Sequence, residues 1–201
     1  MKNRPIYYIT TFVLGILLFS CSQKYISTKY YYLNKNTLDN IEQSYMKLYL
    51  QRPFTLAFTD KKFETLSLDL ITDSLTYIYE FNIKEKRLLD TLIKFNLNTT
   101  EATELINKMR SIRCTWVNKF DYYVDDTKKS LVFLSIKPVD INSLFSNKKY
   151  YILTYFPQKQ YYDKEGRLVN NRKQRKLQRV NGDIFKRIND TVSYTISSTF
   201  R

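Results

Sequence analysis

The sequence contains no histidine, and only three of its 201 residues are glycine. Without histidine the chain lacks the commonest general base near neutral pH, a common metal ligand and every catalytic triad built on an imidazole. Gly15, Gly166 and Gly182 lie too far apart for a Walker loop or a dinucleotide fingerprint, because both need several close glycines beside phosphate. Most hydrolases and nucleotide-binding proteins are thereby excluded, and we expect neither a cofactor nor a metal.

The first twenty residues have the pattern of an export signal. Lys2 and Arg4 provide positive charge with no acid beside them, and residues 6–19 are mostly apolar. As a helix those fourteen residues would span about 21 Å, whereas a bilayer core needs about 30 Å. The pattern therefore predicts a signal peptide over residues 1–20, with an uncleaved N-terminal anchor as the alternative.

The end of this segment, Leu18-Phe19-Ser20-Cys21, resembles the lipobox of bacterial lipoproteins. The resemblance implies that residues 1–20 are removed and that Cys21 carries a diacylglyceryl thioether and an acyl chain such as palmitate. The Phe-Ser-Cys-Ser start also resembles lipoproteins of the Bacteroidota, whose surface-exported members carry acids just after the cysteine. No acid occurs here before Asp39, so we expect a lipid-anchored envelope protein of the outer membrane that faces the periplasm.

Once Cys21 is lipidated, Cys114 is the only cysteine left and no intramolecular disulfide can form. We expect Cys114 to be buried as a small apolar group. Residues 21–36, which are polar and rich in tyrosine, are predicted to be a lipidated tether. Residues 37–201 have the length of a single domain with basic C-terminal hairpins.

Two segments have the apolar spacing of amphipathic helices. The first is expected to be capped by Asn36 or Thr37 and to end before Pro53; its stripe is Leu38, Ile41, Tyr45, Leu48 and Tyr49. In the second, Asn98 and Glu101 have the spacing of a capping box; its stripe is Leu105, Ile106, Met109 and Ile112.

Alternating apolar residues predict strands around these helices. They cover residues 66–70, 75–81, 114–122, 131–136 and 150–156, with a further strand at 87–95 and turns at 72–74, 125–126, 163–166 and 181–182. The expected class is α+β, a mostly antiparallel sheet with about two helices. We expect Leu105, Met109, Trp116 and Phe120 to belong to its core.

Several weaker patterns resemble catalytic, cation-binding or repeat motifs. Residues 44–47 and 146–149 match the serine-x-x-lysine spacing of penicillin-recognising enzymes but lack the companion motifs. Five aspartates could approach a hard cation, although their spacing matches no calcium loop; they are Asp69, Asp73, Asp121, Asp125 and Asp126. Residues 162–168 resemble one copy of the YD repeat, which a glycine turn explains equally well.

The C-terminal part carries most of the excess positive charge. The chain has a net charge of +14, and residues 147–201 contain 13 bases and 4 acids. Five bases with no acid among them form a candidate anion-binding cluster: Arg172, Lys173, Arg175, Lys176 and Arg179. Export makes nucleic acid an unexpected partner, so anionic envelope components are the favoured ligands, with a solvated basic face as the alternative.

These observations favour a non-enzymatic binding or assembly module that is anchored in the envelope. Its partner would be an anionic envelope component or another envelope protein. The alternative is an enzyme or enzyme-inhibitor that uses a carboxylate, lysine or tyrosine site. A deep pocket with perturbed carboxylates would favour the alternative, and an exposed basic or aromatic patch would favour binding.

Overall fold

The computed structural model describes residues 27–124, 127–136, 150–168 and 184–197. Helix α1 covers residues 27–33, and the other elements are α2 (Lys35–Gln51), β1 (Phe54–Phe58), β2 (Thr65–Ile71), β3 (Thr76–Asn82), α3 (Lys86–Lys94), α4 (Thr99–Ser111), β4 (Cys114–Val124), β5 (Thr127–Ile136), β6 (Tyr150–Tyr155), β7 (Lys186–Arg187) and β8 (Val192–Ser197). No helix in these ranges is both long and apolar enough to cross a membrane.

The chain divides into two units, Met1–Lys35 and Asn36–Arg201. In the first unit, part of the segment predicted to be a tether is helical. Helix α1 ends at a turn on Asn34, whose backbone N–H and side-chain amide both donate to the Tyr30 carbonyl, at 3.1 and 3.0 Å. The Tyr30 carbonyl therefore accepts two hydrogen bonds from the residue that ends the helix.

The second unit contains one antiparallel sheet of eight strands in the order β3-β2-β1-β4-β5-β6-β8-β7. This confirms the predicted α+β class, although the described part of the chain has four helices where about two were expected. Helices α3 and α4 lie in sequence between β3 and β4. The two halves of the sheet join where β1 pairs with β4.

Helix α2 buries four residues of the predicted stripe, Leu38, Ile41, Tyr45 and Leu48, while Tyr49 is partly buried. The helix begins at Lys35, so the expected cap at Asn36 or Thr37 is wrong. The Tyr45 hydroxyl donates to the Phe54 carbonyl at 2.7 Å, and the two rings meet edge to face. These contacts join the helix to the first strand.

The alternation in β2 is confirmed. Leu66, Leu68 and Leu70 are fully buried and lie opposite Phe58, Leu56 and Phe54 of β1. Cross-strand partners share a face, so these six side chains form one apolar layer.

The predicted turn after β2 is also confirmed. The Thr72 backbone N–H donates to the Leu75 carbonyl at 2.9 Å, and the Leu75 N–H donates to the Thr72 hydroxyl at 3.0 Å.

The strand predicted at residues 87–95 is wrong, because this segment forms helix α3. Leu88 and Leu92, four residues apart on one face, are buried, while Leu89 and Ile93 are exposed. A four-residue spacing of buried side chains belongs to a helix. Asn96 has a φ of 57° just after it, a left-handed conformation that helix ends commonly use.

Helix α4 confirms the second predicted helix and half of its capping box. The Asn98 side chain accepts from the Glu101 N–H at 3.1 Å. The Glu101 carboxylate does not return the bond; it binds Lys47 Nζ of α2 at 2.6 Å. Gln51 Oε1 accepts from the Asn98 N–H at 3.4 Å in its place, so both exchanged contacts join α4 to α2.

The core prediction is confirmed for Leu105 and Met109, which are fully buried, but it fails on β4. Phe120 is 45% exposed and Trp116 is only partly buried. The pairing of β4 with β5 shifts register between Cys114 and Trp116. Such a bulge adds one residue and reverses which side chains face the core. Val117 is therefore fully buried, and Trp116 and Phe120 face the other side of the sheet.

That other side has a smaller apolar cluster of its own. Leu131, Phe156 and Phe185 are buried there, with Phe133 and Leu168 packed against them. Phe133 stacks on Trp116 with ring centroids 6.5 Å apart, which extends the cluster towards the partly exposed aromatic residues of β4.

Candidate binding surface at the β3 edge

The site residues predicted from the sequence lie outside the described ranges. They are Cys21 and the five bases Arg172, Lys173, Arg175, Lys176 and Arg179. Lipidation and anion binding therefore stay predictions. The candidate sites that can be examined lie among the described residues.

Cys114 is fully buried, as expected. Its thiol donates to the Trp116 carbonyl at 3.5 Å, and burial raises its pKa to about 12. Only the thiolate is an effective nucleophile, so this side chain is in the unreactive thiol form at neutral pH.

The Asp121 carboxylate contacts Lys119, Lys128 Nζ at 2.9 Å and Ser130 Oγ at 2.8 Å. Burial alone would raise its pKa, but hydrogen bonds from these three residues outweigh burial and hold the pKa at about 2. Lys119 also lies over the Tyr49 ring, 4.7 Å from its centroid. The charged groups of this cluster, which joins β4, β5 and α2, are thus paired with one another.

Other acidic and basic candidates are also engaged in local contacts. Asp69 accepts hydrogen bonds from Thr55 at 3.0 Å and from Ser67 at 2.9 Å. Lys47, the lysine of the first serine-x-x-lysine match, is the residue that pairs with Glu101, and the second match lies outside the described ranges. No group of three metal-ligating side chains occurs among the residues that the structure describes.

The YD-like segment forms a tight turn. Asp163 Oδ1 accepts from the Arg167 N–H at 2.7 Å, and the Asp163 carbonyl accepts from the Gly166 N–H at 3.0 Å. Gly166 has a φ of 76°, which glycine adopts without steric cost. The local turn thus accounts for the motif.

Exposed apolar side chains cluster on and just before β3, the first edge strand. Leu75 is 58% exposed, Tyr77 41% and Ile78 70%. Only Phe81 of the strand is buried. We call residues 75–81 the β3 edge.

The backbone of this edge directs a row of hydrogen-bonding groups away from β2. Bonds join Ile83 N–H to Glu64 O and Thr72 N–H to Leu75 O, and antiparallel bonding alternates along a strand. The odd-numbered residues of β3 therefore bond to β2, while Thr76, Ile78 and Glu80 direct N–H and C=O outwards. No other strand in the described ranges pairs with this side.

An open groove of about 340 Å³ runs between β3 and α3. It is lined by Ile78, Tyr79, Glu80, Phe81, Arg87, Asp90, Thr91 and Lys94. Arg87 lies over the Phe81 ring, 5.6 Å from its centroid, and its Nη2 reaches the Glu80 carbonyl at 3.5 Å. The groove thus combines an outward-facing backbone with apolar and charged side chains.

On the helix-facing side of β3, three aromatic rings form a ladder. Tyr77 stacks on Tyr79 with centroids 6.5 Å apart, and Tyr79 on Phe81 at 5.8 Å. Phe95, just after α3, contacts both tyrosines. These contacts hold the edge strand in regular extended form.

The alternating residues of 75–81 predict a strand, but alternation alone does not show that the strand lies at the edge of the sheet, so this surface was not predicted. Ile78 could have indicated it, because this aliphatic residue lies on the same strand face as the polar Thr76 and Glu80, where a solvent-facing polar residue is expected. No family model, curated protein or solved structure matches this chain.

Proposed function

We propose that this chain is a non-enzymatic envelope lipoprotein that binds another protein by adding a strand to the β3 edge. Its anchor is lipidated Cys21, and its location is the periplasmic side of the outer membrane. The observation that carries the binding role is the row of outward-directed backbone groups at Thr76, Ile78 and Glu80, of which Arg87 reaches the Glu80 carbonyl, flanked by exposed apolar side chains.

Strand addition fits this surface because an exposed strand edge and a side-chain pocket lie next to each other. Main-chain hydrogen bonds to an exposed edge supply affinity, and side-chain pockets beside it supply specificity. The edge groove between β3 and α3 provides such a pocket, and Ile78 provides apolar area that would leave water on binding.

Two titratable groups in the described ranges have pKa values that do not suit catalysis at neutral pH. The Cys114 thiol has its pKa raised by burial, and the Asp121 carboxylate has its pKa lowered by its partners. A general base or acid for neutral pH needs a pKa shifted towards 7, and both shifts move the wrong way.

Site-specific photo-crosslinking in the envelope tests the binding role. A photoreactive amino acid replaces Ile78 in one full-length chain and Leu50 in a control chain, since Leu50 is 80% exposed near the end of α2. We expect protein adducts at position 78 and few at position 50. Equal adducts at both positions, or none at 78, would contradict strand addition.

The anchor is tested separately by Cys21→Ser. Lipidation needs the thiol and processing follows it, so the variant should accumulate as an unprocessed precursor. Protease added to intact cells should spare the wild-type protein and digest it after the outer membrane is opened. Normal maturation of the variant would contradict the anchor, and cleavage on intact cells would contradict the periplasmic orientation.

A further inference from the structure

We propose that the strand added to the β3 edge comes from a second copy of this chain, paired antiparallel about a two-fold axis at Ile78. This inference rests on the proposed function and names its partner. The dimer would join two eight-stranded sheets into one continuous sheet.

The sequence of the edge is nearly symmetric about Ile78. It reads Thr76-Tyr77-Ile78-Tyr79-Glu80, so an antiparallel copy in this register sets Tyr77 opposite the second copy's Tyr79 and the reverse. Aromatic cross-strand pairs are among the favourable ones. A two-fold interface must be self-complementary, and this five-residue stretch meets that condition.

The backbone phase agrees with the same register. Thr76, Ile78 and Glu80 are the residues that direct N–H and C=O outwards. A two-fold axis at Ile78 pairs Ile78 with its own copy and Thr76 with Glu80 of the other copy. Residues that face each other with outward groups exchange two bonds per pair, so about six backbone hydrogen bonds form. Two of the six go to Glu80 carbonyls, whose second lone pair can keep the Arg87 contact at 3.5 Å. A shift by one residue would set Thr76, Ile78 and Glu80 opposite odd-numbered residues, whose N–H and C=O groups point towards β2. The backbone hydrogen bonds between the copies would then be lost.

Charge also favours a second copy at this place. The whole chain carries +14, whereas residues 72–95, which include β3 and α3, contain four acids and four bases. Within residues 75–81 the only charged side chain is Glu80, and the proposed register sets it against threonine. Two copies therefore meet here without the repulsion that like charges directly opposite would cause.

Few of the features that prevent an edge strand from pairing with another chain occur on β3. Edges are usually protected by shortness, lysine, proline or a bulge. β3 pairs with β2 over seven regular positions, and none of its residues is lysine or proline. An edge without this protection is suited to regular pairing with a partner strand.

Cysteine crosslinking of the full-length chain in membranes tests the pairing. Ile78→Cys places a thiol at the axis, and Leu50→Cys provides an exposed control; native Cys114 is buried and inert. Two differently tagged copies are expressed together and treated with a short bismaleimide. We expect a dimer with both tags from Ile78→Cys, several-fold above the control. Equal dimer yields from both variants would overturn the inference.

A charge exchange tests the register itself, read out by the tagged-copy pull-down without crosslinker. Ile78→Lys alone and Ile78→Glu alone each set like charges face to face, and should weaken self-association about fivefold. Co-expression of the two variants should restore it, because opposite charges then meet at the axis. Failure of the mixture to exceed the single variants would overturn the two-fold register.

The two proposals fail in distinguishable ways. If photo-crosslinking at position 78 captures a different protein and Ile78→Cys gives no dimer, the second-copy inference is wrong and strand addition stands. If position 78 gives neither kind of adduct, both are wrong.

Discussion

The two edges of the sheet differ in nearly every property that governs strand pairing. β3 has seven residues and one charged side chain, whereas β7 has two residues, Lys186 and Arg187, and both are basic. Arg167 forms an isolated bridge to Lys186, and Arg187 pairs with Asp190 at 2.6 Å. The β7 edge is short, charged and covered, whereas the β3 edge is longer and more apolar, and no strand of the described ranges pairs with its outer side.

This difference supports the proposal that the β3 edge serves pairing. A chain that can protect one edge with short length, basic residues and a covering segment has the same means available at the other. At β3 it instead keeps a regular strand, supported by the ring ladder and by Phe95. The comparison yields four predictions, ordered from the largest expected effect to the smallest.

The largest effect is expected beneath the β3 edge. Leu68 of β2 is fully buried opposite Tyr79, so Leu68→Ala should lower the free energy of unfolding by about 2–5 kcal/mol through lost burial and a cavity. Ile78→Ala, on the exposed strand, should change it by about 0.5 kcal/mol or less. Urea unfolding of both variants measures this, and equal losses would mean that Ile78 is buried.

Proline substitution tests which backbone groups of β3 point outwards. Tyr79→Pro removes a bond to β2 and leaves a carbonyl unpaired, which should cost about 1–3 kcal/mol. Ile78→Pro removes an outward N–H and should cost clearly less, because edge strands tolerate proline when its nitrogen faces solvent. Thermal unfolding distinguishes them; a larger loss for Ile78→Pro would reverse the assigned phase.

Acid should weaken the middle of the sheet, between the two edges. The pKa of Asp121 is about 2 in the folded protein, below its ordinary value of 3.8. Its contribution is therefore present above about pH 4 and is lost as the pH falls towards 2. Because the side chain is partly exposed, the loss should be about 1 kcal/mol or less. Asp121→Asn should flatten this part of a stability-against-pH curve, and an unchanged slope would contradict the assignment.

The smallest effect is expected at the protected edge. Arg187 and Asp190 are each about half exposed, so Arg187→Ala should cost about 1 kcal/mol or less. It should also leave self-association unchanged, unlike Ile78→Lys. Loss of the dimer in Arg187→Ala would show that the β7 edge takes part in pairing, and the contrast between the edges would then be wrong.

Local patterns predicted the elements whose signals lie close together in sequence. Asn98 and Glu101 located the start of α4, and the alternation of Leu66, Leu68 and Leu70 located β2. The strand prediction for residues 87–95 failed because a short segment with adjacent pairs of apolar residues is compatible with a strand and with a helix about equally well. Only burial of Leu88 and Leu92 together decides for the helix.

The sequence by itself determined the class of the fold, most of its strands and the burial of Cys114, because apolar periodicity and capping are local properties. Tertiary structure decided which face of β4 is buried, through the register shift between Cys114 and Trp116. It also decided that β3 is an edge, which depends on β1 pairing with β4 rather than on any residue of β3. Strand order and register arise from contacts between residues far apart in sequence, and the period of one strand is the same at an edge as in the centre of a sheet.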